Sequence, residues 1–514
     1  MQIVDRRDGL MTGTLMRFMS TVERVGNKLP HPFWLFGILS LVLAAASALL
    51  AAFTVSVAMP GSGDTVAVRS LASSDGITMA LSTAVENFVT FPPLGNALVI
   101  MIGVAVADKA GLLSTALRAA VLRVPPKMVT FGLAFTAMIA HVASDAAYIV
   151  LIPLGAIVYR AVGRSPILGI VVAFVSISAG TDASPLITPT DVILSGLTTA
   201  AAHTIDSAVT VGPVANYYFS LASSVVLALI ITLVVELFIA KRVEQDGYDL
   251  PAETEDEINA RGLTADQRRG LRNSAVCTAI LLMLIGLALL PSGSPLRGEG
   301  GALLESPVVS EIAVVLSLMF AVTGAIYGMA VGTVRTSRDI PELITAGLRD
   351  IAPIVMLFFA VSQFLAYFRW THIGEVIAVQ GAGLLKAADA HTLVIAAGLL
   401  ILVSLINLII TSGSAMWSLI APIFVPMLML LDIPPQTTQA LYRIADSCSN
   451  VVTPMGVYFI LALGFVQQYR KNAGIGTLAA MTAPIAMAMF LGWVLLFVMW
   501  WILGIPLGPG YPVR

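Results

Sequence analysis

Long apolar runs separated by short polar connections fill most of the chain, and their lengths sort them into two classes. Runs near 31–53, 83–106, 214–240, 272–290, 309–331, 350–369 and 477–503 are each near the length needed to span. About 20 residues at 1.5 Å per residue carry an α-helix across a hydrocarbon core of about 30 Å. These runs predict uninterrupted spans. Blocks 128–161 and 391–431 are too long for one crossing and are kinked near the middle by SDAAY (144–148) and GSAMW (413–417). That pattern predicts helical hairpins that enter and leave the membrane by the same face. After each hairpin comes a run, 166–201 and 436–466, interrupted by TDASP (181–185) and NVVTP (450–454), which reads as one span broken at its polar motif.

The two blocks are copies of one unit. Adding 269 to Tyr148, Pro153, Pro166 and Pro185 lands on Trp417, Pro422, Pro435 and Pro454, without a gap over the whole stretch. Repeated pairs of broken apolar segments expose backbone and polar side chains at mid-membrane, as secondary transporters do to hold substrate and coupling ion.

Basic residues test the count of spans, because they cluster on the cytoplasmic side of span ends. They lie before the first span, at Arg118, Arg123 and Lys127, at Arg160 and Arg164, through 241–273, at Arg335, Arg338 and Arg349, and at Arg470 and Lys471. The opposite side holds only Arg69, Arg297, Arg369, Lys386 and Arg514. The alternation predicts an all-α polytopic membrane protein with nine transmembrane helices, two of them broken, plus two re-entrant hairpins. The N-terminus is placed in the cytoplasm and the C-terminus outside. Five spans separate the repeat starts, so the repeats are inverted, hairpin one opening from the cytoplasm and hairpin two from outside. The expected organisation is a cytoplasmic segment 1–30, a first membrane half 31–240, a charged cytoplasmic loop 241–273 and a second half 274–514.

Composition agrees, with 58% hydrophobic and 11% charged residues, where soluble domains carry about 25% charged. The first run exceeds a signal-peptide core and reads as a retained span. A net charge of −2 gives no basis for a nucleic-acid partner, and Cys277 and Cys448 give none for a disulfide framework or thiolate metal site. Neither HExxH, Walker nor paired-cysteine spacing occurs, so neither an enzyme nor an organic cofactor is expected.

A charge at the bilayer centre costs at least about 2.5–3.5 kcal/mol, so intramembrane ionisable residues need a reason. Asp145 stands at the tip of hairpin one, Asp182 at the first break, Asp191 beyond it, and Arg443 with Asp446 in the second broken span. Arg443 and Asp446 are three apart and fit an intrahelical ion pair. Alternatively Arg443 grips a substrate carboxylate bidentately while Asp446 orients it or titrates. Asp145 suits a helix N-cap, and equally a place beside unwound carbonyls that coordinate sodium. Asp182 and Asp191 bracket Pro185, Thr188, Pro189 and Thr190, an oxygen-rich segment suited to a hard cation or a proton carrier. Trp417 and Tyr148 match beyond the two tips; packing is expected for Tyr148, whereas Ser412, Gly413 and Ser414 let a ligand approach Trp417. Asn450, with Ser447, Ser449 and Thr453, marks the second break, where polar groups need ion, ligand or water. For Asn407, packing between hairpin arms suffices, and His141 reads as a packing residue.

With these residues in view the chain resembles the aminobenzoyl-glutamate (AbgT-type) transporter family over essentially its full length. The resemblance rests on ASDAAYIVLIPLGAIVYRAVGRSPILG (143–169), AIYGMAVGTV (325–334), QFLAYFRWTHIG (363–374), NLIITSGSAMWSLIAPIFVPMLMLL (407–431) and QALYRIADSCSNVVTP (439–454). It implies a homodimer with an aqueous basin reaching in from the cytoplasm. Cation-coupled transport of aminobenzoyl-glutamate, or export of sulfonamide antimetabolites, is implied as well. Functional roles follow at Asp191, Asn407, Ser414, Trp417, Arg443, Asp446 and Pro454. The chain departs from the family pattern at DASPL (182–186), where an S-A-N-L-like motif is usual, which bears on coupling ion and substrate charge.

The combined expectation is a secondary transporter of the bacterial inner membrane. Arg443 anchors a carboxylate and Trp417 stacks on an aromatic ring, with Ser414, Asn450, Asn407 and Pro454 completing the substrate site. Asp191 and Asp446, with Asp182 and Asp145, serve ion or proton coupling, and sodium is suited to the surroundings of Asp145, Asp182 and Asn450. A dicarboxylate carrier of the same architecture is the alternative, and an ion channel a weaker one.

Overall fold

The computed structural model describes residues 30–58, 65–144, 146–246, 262–298, 306–389 and 391–514. Proline at the first helical position, where a missing N–H costs nothing, starts many of the helices, including those at Pro32, Pro92, Pro166, Pro189 and Pro435. Long apolar helices run over Pro32–Ala52, Pro92–Lys109, Tyr217–Val234, Ala265–Leu289, Ile312–Val331, Asp339–Trp370 and Ile475–Leu503. Among the described residues these seven helices and the two broken spans match the nine crossings expected. The Tyr217–Val234 helix continues through a π-turn, Val235–Ile239, to Asp246.

Several boundaries differ from the sequence expectation. The span expected at 83–106 begins only at Pro92, because Ala84–Val89 is a separate short helix ended before the Pro92–Pro93 pair. The span expected at 350–369 starts at Asp339, so Arg349 is helical rather than in a loop. The charged stretch 241–273 is helical up to Asp246 and again from Ala265, with 247–261 outside the described residues. Two short helices, Leu112–Leu122 and Ile373–Ala387, precede the hairpins in the two repeats and were not anticipated. A small antiparallel ribbon pairs Ser56–Ala58 with Thr65–Ala67.

The duplicated blocks fold as their pattern predicts. Hairpin one has arms Val129–Ala140, continued by 3-10 turns at Pro126–Met128 and His141–Ala143, and Ala146–Ala161, with Ser144 turning the chain between them. Hairpin two has arms Thr392–Asn407 and Gly413–Met429. The first broken span is Pro166–Gly180 and Pro189–Ala202; the second is Pro435–Asn450 and Val457–Tyr469. Adding 269 to Pro166–Gly180 gives 435–449, one residue short of the observed helix.

Packing interleaves the repeats. Pro189–Ala202 lies against the second arm of hairpin two and also touches Pro435–Asn450. Both arms of hairpin one pack on Pro166–Gly180, and Gly155 and Gly169 meet there so closely that a Cβ on either would strike the other's backbone carbonyl. All residues of Pro166–Gly180 are buried, and so is Pro435–Asn450 up to Ser449 although it carries Arg443, Asp446 and many hydroxyl and amide side chains. A polar helix buried among apolar ones must find partners within the protein, and this one pairs most of its groups at the centre while Thr438 Oγ1, Arg443 Nε and Asn450 Oδ1 stay buried without one. Exposed apolar side chains lie on the outer helices, such as Leu41, Leu284 and Leu491, all more than half exposed.

Candidate functional site

The two breaks face each other through Asp182, Asp191, Arg443 and Asp446. Thr188 caps the half-helix Pro189–Ala202: its backbone N and its Oγ1 donate to Asp191 Oδ2 at 2.7 and 2.8 Å, and its Oγ1 accepts from the Asp191 amide at 3.3 Å. This reciprocal capping box fixes the Asp191 carboxylate at the positive end of the half-helix. Its other oxygen, Oδ1, meets Arg443 Nη1 at 2.7 Å. Arg443 is 2% exposed, reaches the Asp182 carbonyl at 3.4 Å, and keeps Nε buried without a partner. The intrahelical Arg443–Asp446 pair that the spacing allowed is thus not formed; the arginine pairs across the repeats with Asp191.

Asp446 is engaged along its own helix face. Tyr442, one turn before, brings its hydroxyl to 3.0 Å from Oδ1, and Asn450, one turn after, donates Nδ2 to Oδ2 at 3.0 Å. The Tyr442 hydroxyl also donates to the main-chain carbonyl of Gly413, at the tip of hairpin two, at 2.7 Å. Asp182, 1% exposed, accepts from Ser447 Oγ at 2.7 Å through Oδ2, while its Oδ1 is buried with no donor.

Trp417 is fully buried. Its ring lies 4.5 Å from that of Tyr442, centroid to centroid, and its Nε1 donates to Thr198 Oγ1 at 2.9 Å, while Thr198 donates to Gln439 at 2.6 Å. The indole therefore joins hairpin two to both broken spans. Asn407, also fully buried, donates Nδ2 to the Asp446 carbonyl at 2.8 Å, and Thr453 donates to the Leu408 carbonyl at 2.8 Å. Asn407 hence ties the first arm of hairpin two to the second broken span, not to its own second arm as packing between arms would require. Ser414 is half-buried beside Gly413, and Asn450 keeps Oδ1 buried without a partner. Pro454 is buried in the six-residue break between Asn450 and Val457.

Tyr148 stacks on Tyr458 at 3.8 Å between near-parallel rings and contacts Ser178 Oγ at 3.2 Å, a packing role in line with its expectation. His141 reaches Thr190 Oγ1 at 3.3 Å, tying hairpin one to the half-helix after the first break. Asp145 lies outside the described residues. Tyr442, Thr198 and Gln439 were not singled out from the sequence. The four-residue spacing of Tyr442, Asp446 and Asn450 puts them on one helix face, a signal that QALYRIADSCSN already carried. No group of three or more His, Cys, Asp or Glu side chains placed to hold a metal ion occurs among the described residues.

Residues 17–514 match the family described as the AbgT putative transporter family. The chain is 35% identical over 493 residues to the p-aminobenzoyl-glutamate transport protein of Escherichia coli K12, covering 96% of each chain. Its fold is similar to that of the YdaH transporter of Alcanivorax borkumensis, with a TM-score of 0.89 and 37% identity over 93% of this chain and 100% of that one. MtrF of Neisseria gonorrhoeae, described as illuminating a class of antimetabolite efflux pumps, superposes with a TM-score of 0.88 and 37% identity, over 96% of this chain and 100% of that one. These relatives are transporters and not enzymes.

Proposed function

The chain belongs to the AbgT transporter family, and we propose that it is a cation-coupled carrier of aromatic carboxylates resembling aminobenzoyl-glutamate, or of sulfonamide antimetabolites. One observation carries the reading: the buried Arg443–Asp191 pair at 2.7 Å between the two breaks. A guanidinium held by one carboxylate is a ready receptor for another, because planar bidentate geometry suits carboxylates in general. A substrate carboxylate that takes Arg443 releases Asp191, whose charge then needs a proton or cation in a site shielded from water. Exchange of partners at Arg443 thereby links substrate to coupling ion, with Asp182 and Asp446 beside it.

Trp417 supplies the aromatic platform once hairpin two moves its indole off Tyr442, and Ser414, Asn407, Asn450 and Pro454 shape the pocket around it. We place the protein in the bacterial inner membrane as a homodimer, N-terminus cytoplasmic and C-terminus outside, from the basic-residue pattern and the family resemblance. The name of the Escherichia coli relative supports the aminobenzoyl-glutamate reading and that of MtrF the efflux reading.

Reconstituted protein tests it through uptake of labelled aminobenzoyl-glutamate and of a sulfonamide under imposed sodium and proton gradients. Saturable, gradient-dependent transport that Arg443→Ala and Asp191→Ala abolish is expected. Transport untouched by both substitutions would sink the site assignment. Preference for succinate over the aromatic substrate, with no effect of Trp417→Ala, would turn the reading to a dicarboxylate carrier.

A further inference from the structure

We infer that Thr198 is a specificity-determining residue of the substrate site: its Oγ1, held by the Trp417 indole in this conformation, accepts a hydrogen-bond donor on the substrate's aromatic ring. The inference deepens the aromatic-carboxylate reading and rests on it.

Thr198 stands on the half-helix Pro189–Ala202, two turns beyond Asp191, and is fully buried. Three polar atoms surround its hydroxyl: Trp417 Nε1 at 2.9 Å, Gln439 Oε1 at 2.6 Å and the Leu194 carbonyl at 2.8 Å. A hydroxyl has one hydrogen and two lone pairs, an indole N–H only donates, and the two carbonyl oxygens only accept. The single hydrogen therefore goes to Gln439 or to Leu194. Toward hairpin two, Thr198 presents a lone pair and has no hydrogen to give.

The group now seated there is itself an aromatic ring with an N–H on its rim. The buried Trp417 indole lies 4.5 Å from the Tyr442 ring, centroid to centroid, while its N–H meets Thr198. An arylamine offers the same two features, a flat apolar face and a donor at the edge. When hairpin two carries the indole away, Thr198 Oγ1 loses its donor in a buried place, which is costly unless the incoming ring replaces it. A ligand ring bearing an N–H is thereby favoured over one without. The amino group of aminobenzoyl-glutamate is such a donor. Placement agrees, because Gln439 is four residues before Arg443 (443 − 439) and Thr198 seven residues beyond Asp191 (198 − 191). At 1.5 Å per residue the acceptor lies about 6–10 Å along the half-helices from the Arg443–Asp191 pair. A ring with an amine at one end and an amide-linked carboxylate at the other spans such a gap.

Ligand binding to the purified full chain labelled with 5-fluorotryptophan tests this, with Trp417→Phe used to assign the Trp417 fluorine line. Aminobenzoyl-glutamate and hydroxybenzoyl-glutamate carry a donor on the ring, whereas benzoyl-glutamate and dimethylaminobenzoyl-glutamate carry none. The first two should move the Trp417 line at concentrations at least about tenfold below those the other two require. Thr198→Val keeps the branched shape and removes the acceptor; it should shift the line before any ligand is added and bring the four ligands to equal potency. Thr198→Ser should restore the order. Equal potency of all four in the unaltered protein would overturn the proposal whether or not the variants fold, as would a preference that survives Thr198→Val. A chain that neither binds nor transports any of the four would overturn the aromatic-carboxylate reading and this inference with it. Transport of all four alike would overturn the inference alone.

Discussion

Arg443 and Asp191 meet at 2.7 Å across the seam between the two repeats, one from the middle of the second broken span and one from the first turn of the half-helix beyond the first break. Each repeat thus supplies half of the buried ion pair at the centre. Any motion that separates the breaks must first dissolve it or give Arg443 a new partner.

Removing one member of the pair should harm stability more than removing both. Arg443→Ala leaves the Asp191 carboxylate buried and unpaired, a loss of about 3–5 kcal/mol. The double variant Arg443→Ala/Asp191→Ala should recover much of that in thermal melts of purified protein. Strictly additive losses would show that the two side chains do not depend on each other.

Trp417 allows its two roles to be separated. Trp417→Phe keeps an aromatic face on Tyr442 but removes the donor to Thr198, a cost of about 1 kcal/mol. Trp417→Ala removes the buried ring, at about 3–5 kcal/mol. If the ring also stacks on substrate, uptake should survive the first change and fail in the second even where folded protein is recovered. Equal uptake by both would confine the indole to packing.

Asn407 holds the second broken span through a main-chain carbonyl at Asp446. Asn407→Leu removes that bond and should cost about 0.5–1.5 kcal/mol. Limited proteolysis and melting should report hairpin two loosening from its neighbour before the rest of the protein unfolds. Unchanged protease sensitivity of 392–429 would argue against the brace.

The glycine contact in the first repeat predicts steric intolerance. Gly169→Val forces a side chain into the Gly155 main chain, and overpacking of this kind costs about 1–3 kcal/mol. The same substitution at Gly464, whose Cβ would meet open space, should leave the melting temperature nearly unchanged, and a similar drop at both positions would refute the contact as its cause.

The architecture was legible because its signals are local in the chain. Prolines and polar turns repeated at one fixed offset marked both hairpins and both breaks, and a membrane leaves few alternatives for apolar runs of those lengths. Helices such as Leu112–Leu122 escaped notice because they are too short and too mixed to register as spans. The partner of Arg443 was hidden for another reason: i,i+3 spacing permits a pair with Asp446, but that carboxylate faces Tyr442 and Asn450. Asp191, 252 residues earlier in the chain (443 − 191), is brought to Arg443 only by the interlocking of the repeats. The burial of Trp417 was hidden likewise, since Thr198 lies 219 residues away in sequence.

The backbone contact between Gly155 and Gly169 has no twin. The offset places Phe424 and Thr438 at the equivalent positions of the second repeat, where the second arm of the hairpin and the following half-helix are kept apart by side chains and pack less extensively. Hairpin one meets its span backbone to backbone at Gly155 and Gly169, whereas hairpin two is tied to the second broken span by hydrogen bonds of Tyr442, Asn407 and Thr453. One duplicated blueprint thus carries two unlike seams, main chain against main chain in the first half and side-chain hydrogen bonds in the second.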